Sequence, residues 1–141
     1  MNPDKLQDLV TIAFCIEAIS DKKGCTTRYT DLHGKPLENF IIAGINTGKY
    51  FRELASDILN NKNPNIFDYF VPALKACNLY KSQKTINFGL LEIMFPTVYA
   101  RLISENSSEV IGNIINLMKK ENTEDVQNLI NAKRRSMENL Y

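Results

Sequence analysis

The sequence predicts an all-α protein, a single domain spanning residues 1–141 and built as an irregular bundle of about six helices, some kinked by proline. Apolar residues recur at spacings of three and four along most of the chain, which is typical of amphipathic helices. Caps, prolines and asparagine-rich turns separate these segments. No segment of useful length alternates apolar and polar residues beside a hairpin turn, so strands are not expected.

The first helix is predicted from Asp4 to about Ser20. Its apolar residues cover nearly the whole circumference, a pattern typical of a helix that is buried on all sides. Glu17 interrupts this apolar surface, and a buried carboxylate without a partner would be costly. Three interpretations remain open: a structural ion pair with Arg28 or Arg101, a role in binding a ligand or Mg²⁺, and simple exposure.

The second helix is predicted to start after Pro36, which suits a first helical turn, and to continue to about Asn60. Gly44 and Gly48 lie inside it, and each costs about 1 kcal/mol relative to alanine in a helix interior. We therefore expect both glycines to allow close packing against a neighbouring helix. The segment from Asn60 to Asn65 is rich in turn-forming residues and should end the helix.

Four further helices are predicted, at about 65–80, 85–104 and 107–120, and from residue 122 or 123 onward. Pro96 should kink the fourth, because it removes a hydrogen bond and clashes with the preceding turn. Ser107 or Ser108 is the expected N-cap of the fifth helix. The third and fourth helices are rich in large apolar side chains, which could form either the core or an interface with another protein: Phe67, Tyr69, Phe70, Phe88, Met94, Phe95 and Tyr99.

Composition narrows the class of protein. The 17 basic and 16 acidic residues leave a net charge of +1, which does not favour a nucleic-acid-binding surface. No apolar run is long enough to cross a membrane, and no secretory signal is visible, so no membrane partner is expected. The three cysteines form no CxxC pair, which favours a reducing compartment. We therefore expect a cytoplasmic protein.

The loop after the first helix carries most of the side chains that could do chemistry. Lys22, Lys23 and Gly24 could receive a phosphate, although a solvated loop has the same composition. His33 fits a surface turn better than a metal site, since the chain has no second histidine. Cys25 has no base placed to activate it. The segment at 82–89 opens the fourth helix and is either a helix cap or an anion-binding corner.

Two stretches resemble the triphosphoribosyl-dephospho-CoA synthase family, especially its archaeal members. "AFCIEAISDKKGCTTRYTDLHGKPLENFIIAGI" is similar to the family motif in which a helix ending in Glu precedes Lys-Pro-Gly-Asn, a basic and aromatic pair and His-Asp-Phe. "INFGLLEIMFPTVYA" is similar to a later motif, Asn-Thr-x-x-Gly before a leucine-rich helix with a proline. The match differs at Lys23, Cys25 and Thr30, which stand where the motif has proline, asparagine and histidine.

This resemblance implies an α-helical fold with an active site between helices. It also implies a reaction that uses ATP and dephospho-CoA and releases adenine, with phosphates and Mg²⁺ held against the Lys-Gly loop and the acidic residues. The positions that match the motifs are the expected phosphate or nucleotide ligands: Glu17, Lys22, Gly24, Arg28, Asp31 and Asn87. No dedicated metal site is predicted.

Proteins of that family are longer, so we expect a shortened relative that keeps a phosphate- or nucleotide-binding corner. The alternative function is that of a non-catalytic helical module that acts by self-association, as a homo-oligomer, or by binding a protein partner. A basic run near the C-terminus could also suggest a DNA-binding helix, but a solvated helix end explains it more simply.

Overall fold

The described part of the chain folds into packed helices. The computed structural model describes residues 2–31, 34–77 and 86–120, together with residues 127, 130, 131 and 134. Five α-helices lie within these ranges: α1 (Pro3–Ile19), α2 (Leu37–Leu59), α3 (Phe67–Cys77), α4 (Phe88–Ile103) and α5 (Val110–Lys120). The described residues contain no strand, although an isolated bridge joins Thr27 and Thr30, so the all-α prediction is confirmed.

The first helix is bounded by local hydrogen bonds. The Asn2 side chain accepts from the amide of Asp4 at 2.8 Å, and Pro3 follows at a position where its missing N–H costs nothing. At the other end, the Ser20 hydroxyl donates to the Ile16 carbonyl at 2.6 Å. The backbone of Ser20 is extended, so the chain leaves the helix there and enters the polar loop.

The prediction that α1 is buried on all sides is wrong. Only one stripe of the helix is buried, with a spacing of four residues: Leu6, Val10, Phe14 and Ala18. The opposite face carries large apolar side chains that remain exposed: Leu9, Ile12, Ile16 and Ile19. These side chains stay exposed because α1 packs chiefly against α2 and therefore lies at the edge of the bundle.

An aromatic column forms the centre of the core. The Phe51 ring on α2 stacks on the Phe95 ring of α4 with centroids 4.1 Å apart, and it also contacts Phe14 of α1 at 6.2 Å. Phe70 of α3 packs against Phe95 at 5.7 Å. The large side chains of α3 and α4 therefore pack in or against the core, which was the simpler of their two interpretations.

The two glycines of α2 allow α1 to approach closely, as predicted. A β-carbon added at Gly44 would lie 2.7 Å from the β-carbon of Phe14, and one at Gly48 would collide with the Thr11 hydroxyl. Neither position leaves room for a larger residue without movement of a helix or of a side chain. The two glycines therefore set how closely α1 and α2 approach each other.

The C-terminal part of the described chain differs from the sequence prediction in its cap. Asn106, rather than Ser107 or Ser108, caps the short 3-10 turn before α5, and its side chain accepts from the Ser108 amide at 3.1 Å. Pro72 and Pro96 lie inside α3 and α4, and a kink at either stays a prediction. The start of the predicted sixth helix, and residues 78–85, lie outside the described residues.

Among the residues that the structure describes, no helix is both long and apolar enough to cross a membrane.

Candidate functional site

A cavity of about 310 Å³ opens where the C-terminal end of α1, the polar loop, the first turn of α2 and the N-terminal end of α4 meet. Four of the six predicted ligand residues line it: Glu17, Lys22, Gly24 and Asn87. These four come from two segments of the chain separated by more than sixty residues. The fold therefore brings together the two stretches on which the family resemblance depends.

Glu17 and Lys22 form an ion pair at the edge of this cavity. The Glu17 side chain keeps 39% of its surface exposed and Lys22 keeps 34%, so neither is buried. Of the three interpretations of Glu17, a structural ion pair is therefore observed, but its partner is Lys22 rather than Arg28 or Arg101. Because α1 ends at Ile19, the chain can turn back and place the lysine beside the carboxylate five residues earlier.

The loop between α1 and α2 is shaped by backbone and hydroxyl hydrogen bonds. Gly24 has a φ of +77°, in the left-handed region that side chains disfavour, which explains the glycine at this position. The buried Thr26 hydroxyl donates to the Lys35 carbonyl at 2.9 Å and ties the start of the loop to its end. This tie brings Lys35 into the cavity lining together with Lys22.

The start of α4 forms the opposite wall. Asn87 precedes the helix with a φ of +57°, and its side-chain amide donates to the Phe40 carbonyl of α2 at 3.2 Å. The first turn of α4 follows directly, and a β-carbon added at Gly89 would meet no heavy atom within 4 Å. The amides that open a helix have no intrahelical acceptor and carry a partial positive charge.

Two predicted ligand residues lie elsewhere. Arg28 and Asp31 are both exposed, and neither lines the cavity. Thr27 and Thr30 exchange backbone hydrogen bonds of 2.9 and 3.4 Å, so Arg28 lies at the exposed tip of a tight turn. Arg28 matches the family motif in its sequence position, but sequence position alone does not determine which side of a turn a residue occupies. His33 lies outside the described residues.

Sequence reasoning missed two polar contributors to the cavity, Lys35 and Thr26. Lys35 stands eleven residues from Gly24 in the chain, and no local motif connects them. The one clue was Pro36, which marks the start of α2 and hence the point where the loop must return to the bundle. A hydroxyl–carbonyl closure such as that of Thr26 cannot be read from residue spacing.

The cavity suits an anion better than a metal ion. It combines two lysines with the opening turn of a helix, while Glu17 is the only carboxylate among the described residues that line it. No cluster of three metal-ligating side chains exists in the described part of the chain. Cys25 also lines the cavity and is exposed, and none of the other described side chains that line it is a histidine.

A second, larger cavity of about 490 Å³ lies between α1, α2 and α3. It contains none of the predicted ligand residues, and its polar lining includes Lys49, Lys75 and Asn46. The Lys49 ammonium lies 4.8 Å from the centroid of the Tyr50 ring. Variants of Lys49 or Lys75 can therefore serve as controls for variants of the first cavity.

Comparison of this chain with known protein families, with curated proteins and with solved structures finds no match.

Proposed function

We propose that the protein is a shortened relative of the triphosphoribosyl-dephospho-CoA synthase family that binds a phosphate-bearing ligand, such as a nucleotide, in the cavity between α1 and α4. The observation that carries the proposal is the meeting of Glu17, Lys22, Gly24 and Asn87 around one cavity. The proposal is confined to binding, because the family motif is altered at Lys23, Cys25 and Thr30.

The charges around the cavity support an anionic ligand. Lys22 and Lys35 supply ammonium groups, and the first turn of α4 adds amide donors and the positive end of the helix dipole. Glu17 neutralises Lys22 in the absence of a ligand. An incoming phosphate would therefore compete with Glu17 for Lys22, unless Mg²⁺ accompanies the phosphate and bridges it to the carboxylate.

The apolar part of the lining supports a ligand that is larger than phosphate alone. Phe40, Phe88 and Leu90 line the cavity beside its polar groups. The volume of about 310 Å³ lies at the lower end of the roughly 300 to 1,000 Å³ typical of small-molecule sites. This space suits a phosphate group together with part of an attached nucleoside.

Calorimetric titration of the full chain with pyrophosphate, ATP and dephospho-CoA, each with and without Mg²⁺, tests the proposal. Gly89→Asp places a carboxylate in the first turn of α4, where open space surrounds it and where acidic residues suit a helix. We expect this variant to fold normally and to bind ATP about tenfold more weakly or worse, because like charges ~4 Å apart repel by roughly 1 to 4 kcal/mol.

Glu17→Gln should change the affinity for ATP in the opposite direction. Removing the carboxylate frees Lys22, so binding of ATP without Mg²⁺ should become tighter, while any Mg²⁺-dependent gain should disappear. Lys75→Ala in the second cavity is the matched control and should bind as the wild type does. Absence of heat with all three ligands, or equal affinities of the wild type and Gly89→Asp, would remove the proposal.

A further inference from the structure

The second cavity, between α1, α2 and α3, combines apolar surface with a few polar groups, as small-molecule sites do. Its volume of about 490 Å³ lies within the roughly 300 to 1,000 Å³ typical of such sites. Four residues supply apolar surface: Ile45, Tyr50, Pro72 and Ala76. Two amides and two ammonium groups supply the polar part: Gln7, Asn46, Lys49 and Lys75.

The lysines of this cavity carry positive charge that its described lining does not neutralise. Lys49 belongs to α2 and Lys75 to α3, and both residues are exposed. The described residues that line the cavity include no carboxylate. Neither lysine takes part in the three ion pairs found among the described residues. An anion can therefore contact both lysines without breaking any of those ion pairs, whereas Lys22 in the first cavity is paired with Glu17.

Contacts among the three helices fix the walls of the second cavity. A β-carbon added at Gly48 would lie 3.2 Å from the Cγ atom of Gln7, so α1 and α2 are closely packed beside the cavity. The Asn46 side-chain amide donates to the Ala76 carbonyl at 3.5 Å and joins α2 to the last turn of α3. The Lys49 ammonium lies near the face of the neighbouring tyrosine ring, a contact that favours this position. The cavity is therefore formed before a ligand binds.

The hydrogen-bond donors of the lining indicate which class of anion suits the cavity. Lys75 and Ala76 lie in the last turn of α3, where a helix presents carbonyl acceptors rather than amide donors. The lining thus lacks the helix N-terminus that phosphate sites commonly use, and Asn46 already donates to a carbonyl. Two ammonium groups match the two oxygens of one carboxylate, whereas a polyphosphate needs more donors than these residues supply.

We infer that the second cavity binds a small monocarboxylic acid with an aromatic or branched aliphatic body. Its carboxylate contacts Lys49 and Lys75, and its body packs against Ile45, Tyr50 and Pro72. This inference does not depend on the function proposed for the first cavity. ATP is not expected in the second cavity, because the donors there are too few for its phosphates, so Lys75→Ala remains a control for ATP binding.

An NMR titration of the isotopically labelled full chain with phenylacetate tests the inference. The backbone signals of Lys49 and Lys75 and the side-chain amide signals of Gln7 and Asn46 should shift and reach saturation. Phenylacetamide has nearly the same shape without the charge. It should bind about fivefold more weakly or worse, because one exposed charge pair contributes about that factor.

Variants of the two lysines test the expected contacts. Lys49→Gln and Lys75→Gln should each bind phenylacetate about fivefold more weakly or worse. Both variants should fold normally, because both positions are exposed. Lys119→Gln removes the same charge from an exposed position of α5 outside the cavity, so it is the matched control and should bind as the wild type does.

Several results of the titration would overturn the inference. Shifts that never saturate would show that no site exists, and shifts confined to Lys22, Gly24 and Asn87 would locate the carboxylate in the first cavity. Equal affinities for phenylacetate and phenylacetamide, or for the wild type and both lysine variants, would show that the lysines do not bind the carboxylate. Tighter binding of phenyl phosphate than of phenylacetate would contradict the choice of a carboxylate.

Discussion

The contact between Gly44 and Phe14 makes a quantitative prediction about stability. Gly44→Ala would place a new methyl group 2.7 Å from the β-carbon of Phe14. Carbon atoms pack best at about 3.5 to 4.0 Å, so α1 and α2 would have to separate locally by about 1 Å. Phe14 cannot rotate away from this contact, because its β-carbon is fixed to the backbone of α1 and its ring is fully buried.

Two effects of opposite sign determine the result. Overpacking of a core typically costs about 1 to 3 kcal/mol, and the fixed position of the Phe14 β-carbon favours the upper part of this range. Replacing a helix-interior glycine by alanine contributes about 1 kcal/mol in the other direction. We therefore expect Gly44→Ala to lower the free energy of unfolding by about 1 to 2 kcal/mol.

Urea unfolding followed by circular dichroism measures this difference. Gly112→Ala in α5 is the matched control, because a β-carbon there would meet no heavy atom within 4 Å. The control should gain stability, by up to about 1 kcal/mol, from helix propensity alone. A Gly44→Ala variant that is as stable as the wild type would show that α1 and α2 do not approach as closely as described, and would refute the reasoning.

Two further predictions concern titration and thiol reactivity. Hydrogen bonds from Lys62 and then from Tyr69, whose hydroxyl lies 2.5 Å from the carboxylate, lower the pKa of Asp57 below its ordinary 3.8. Their stabilising effect is therefore complete above that pH and is lost progressively as the pH falls through the lowered pKa, so Tyr69→Phe should reduce the urea midpoint more at about pH 7 than at about pH 2.5. An equal reduction at both pH values would contradict this explanation. Exposed Cys25 should react with a thiol reagent in the folded protein, whereas burial raises the pKa of the Cys77 thiol to about 12 and should delay its reaction until unfolding. Equal rates for the two thiols, followed by mass spectrometry, would argue against the described burial.

The sequence predicted the helices of the described region well because their causes are local. Apolar periodicity and a proline near the start located α2, and the two glycines correctly indicated a close neighbour. The prediction of burial failed for α1, because the apolar composition of a helix does not show which of its faces is covered. A residue such as Ile12 makes the helix surface apolar, but the positions of the other helices determine whether that surface is covered.

The candidate site was predictable to a similar degree. Lys22 and Asn87 were found from short motifs, and the fold places both in the cavity lining. Arg28 belongs to the same motif yet lies at the tip of the turn, because a hydrogen-bonded reversal redirects side chains that are neighbours in sequence. Lys35 was missed because a contact across the loop, from the Thr26 hydroxyl to the Lys35 carbonyl, helps to hold it beside the cavity.

The aromatic column has a consequence for how the bundle assembles. Phe51 contacts both Phe14 and Phe95, residues that are 37 positions before it and 44 positions after it. Both contacts close long stretches of chain, and such closures carry an entropic cost that grows with length. Because Phe14 and Phe95 both pack on Phe51, a change at Phe51 should disturb the contacts of α1 and of α4 together.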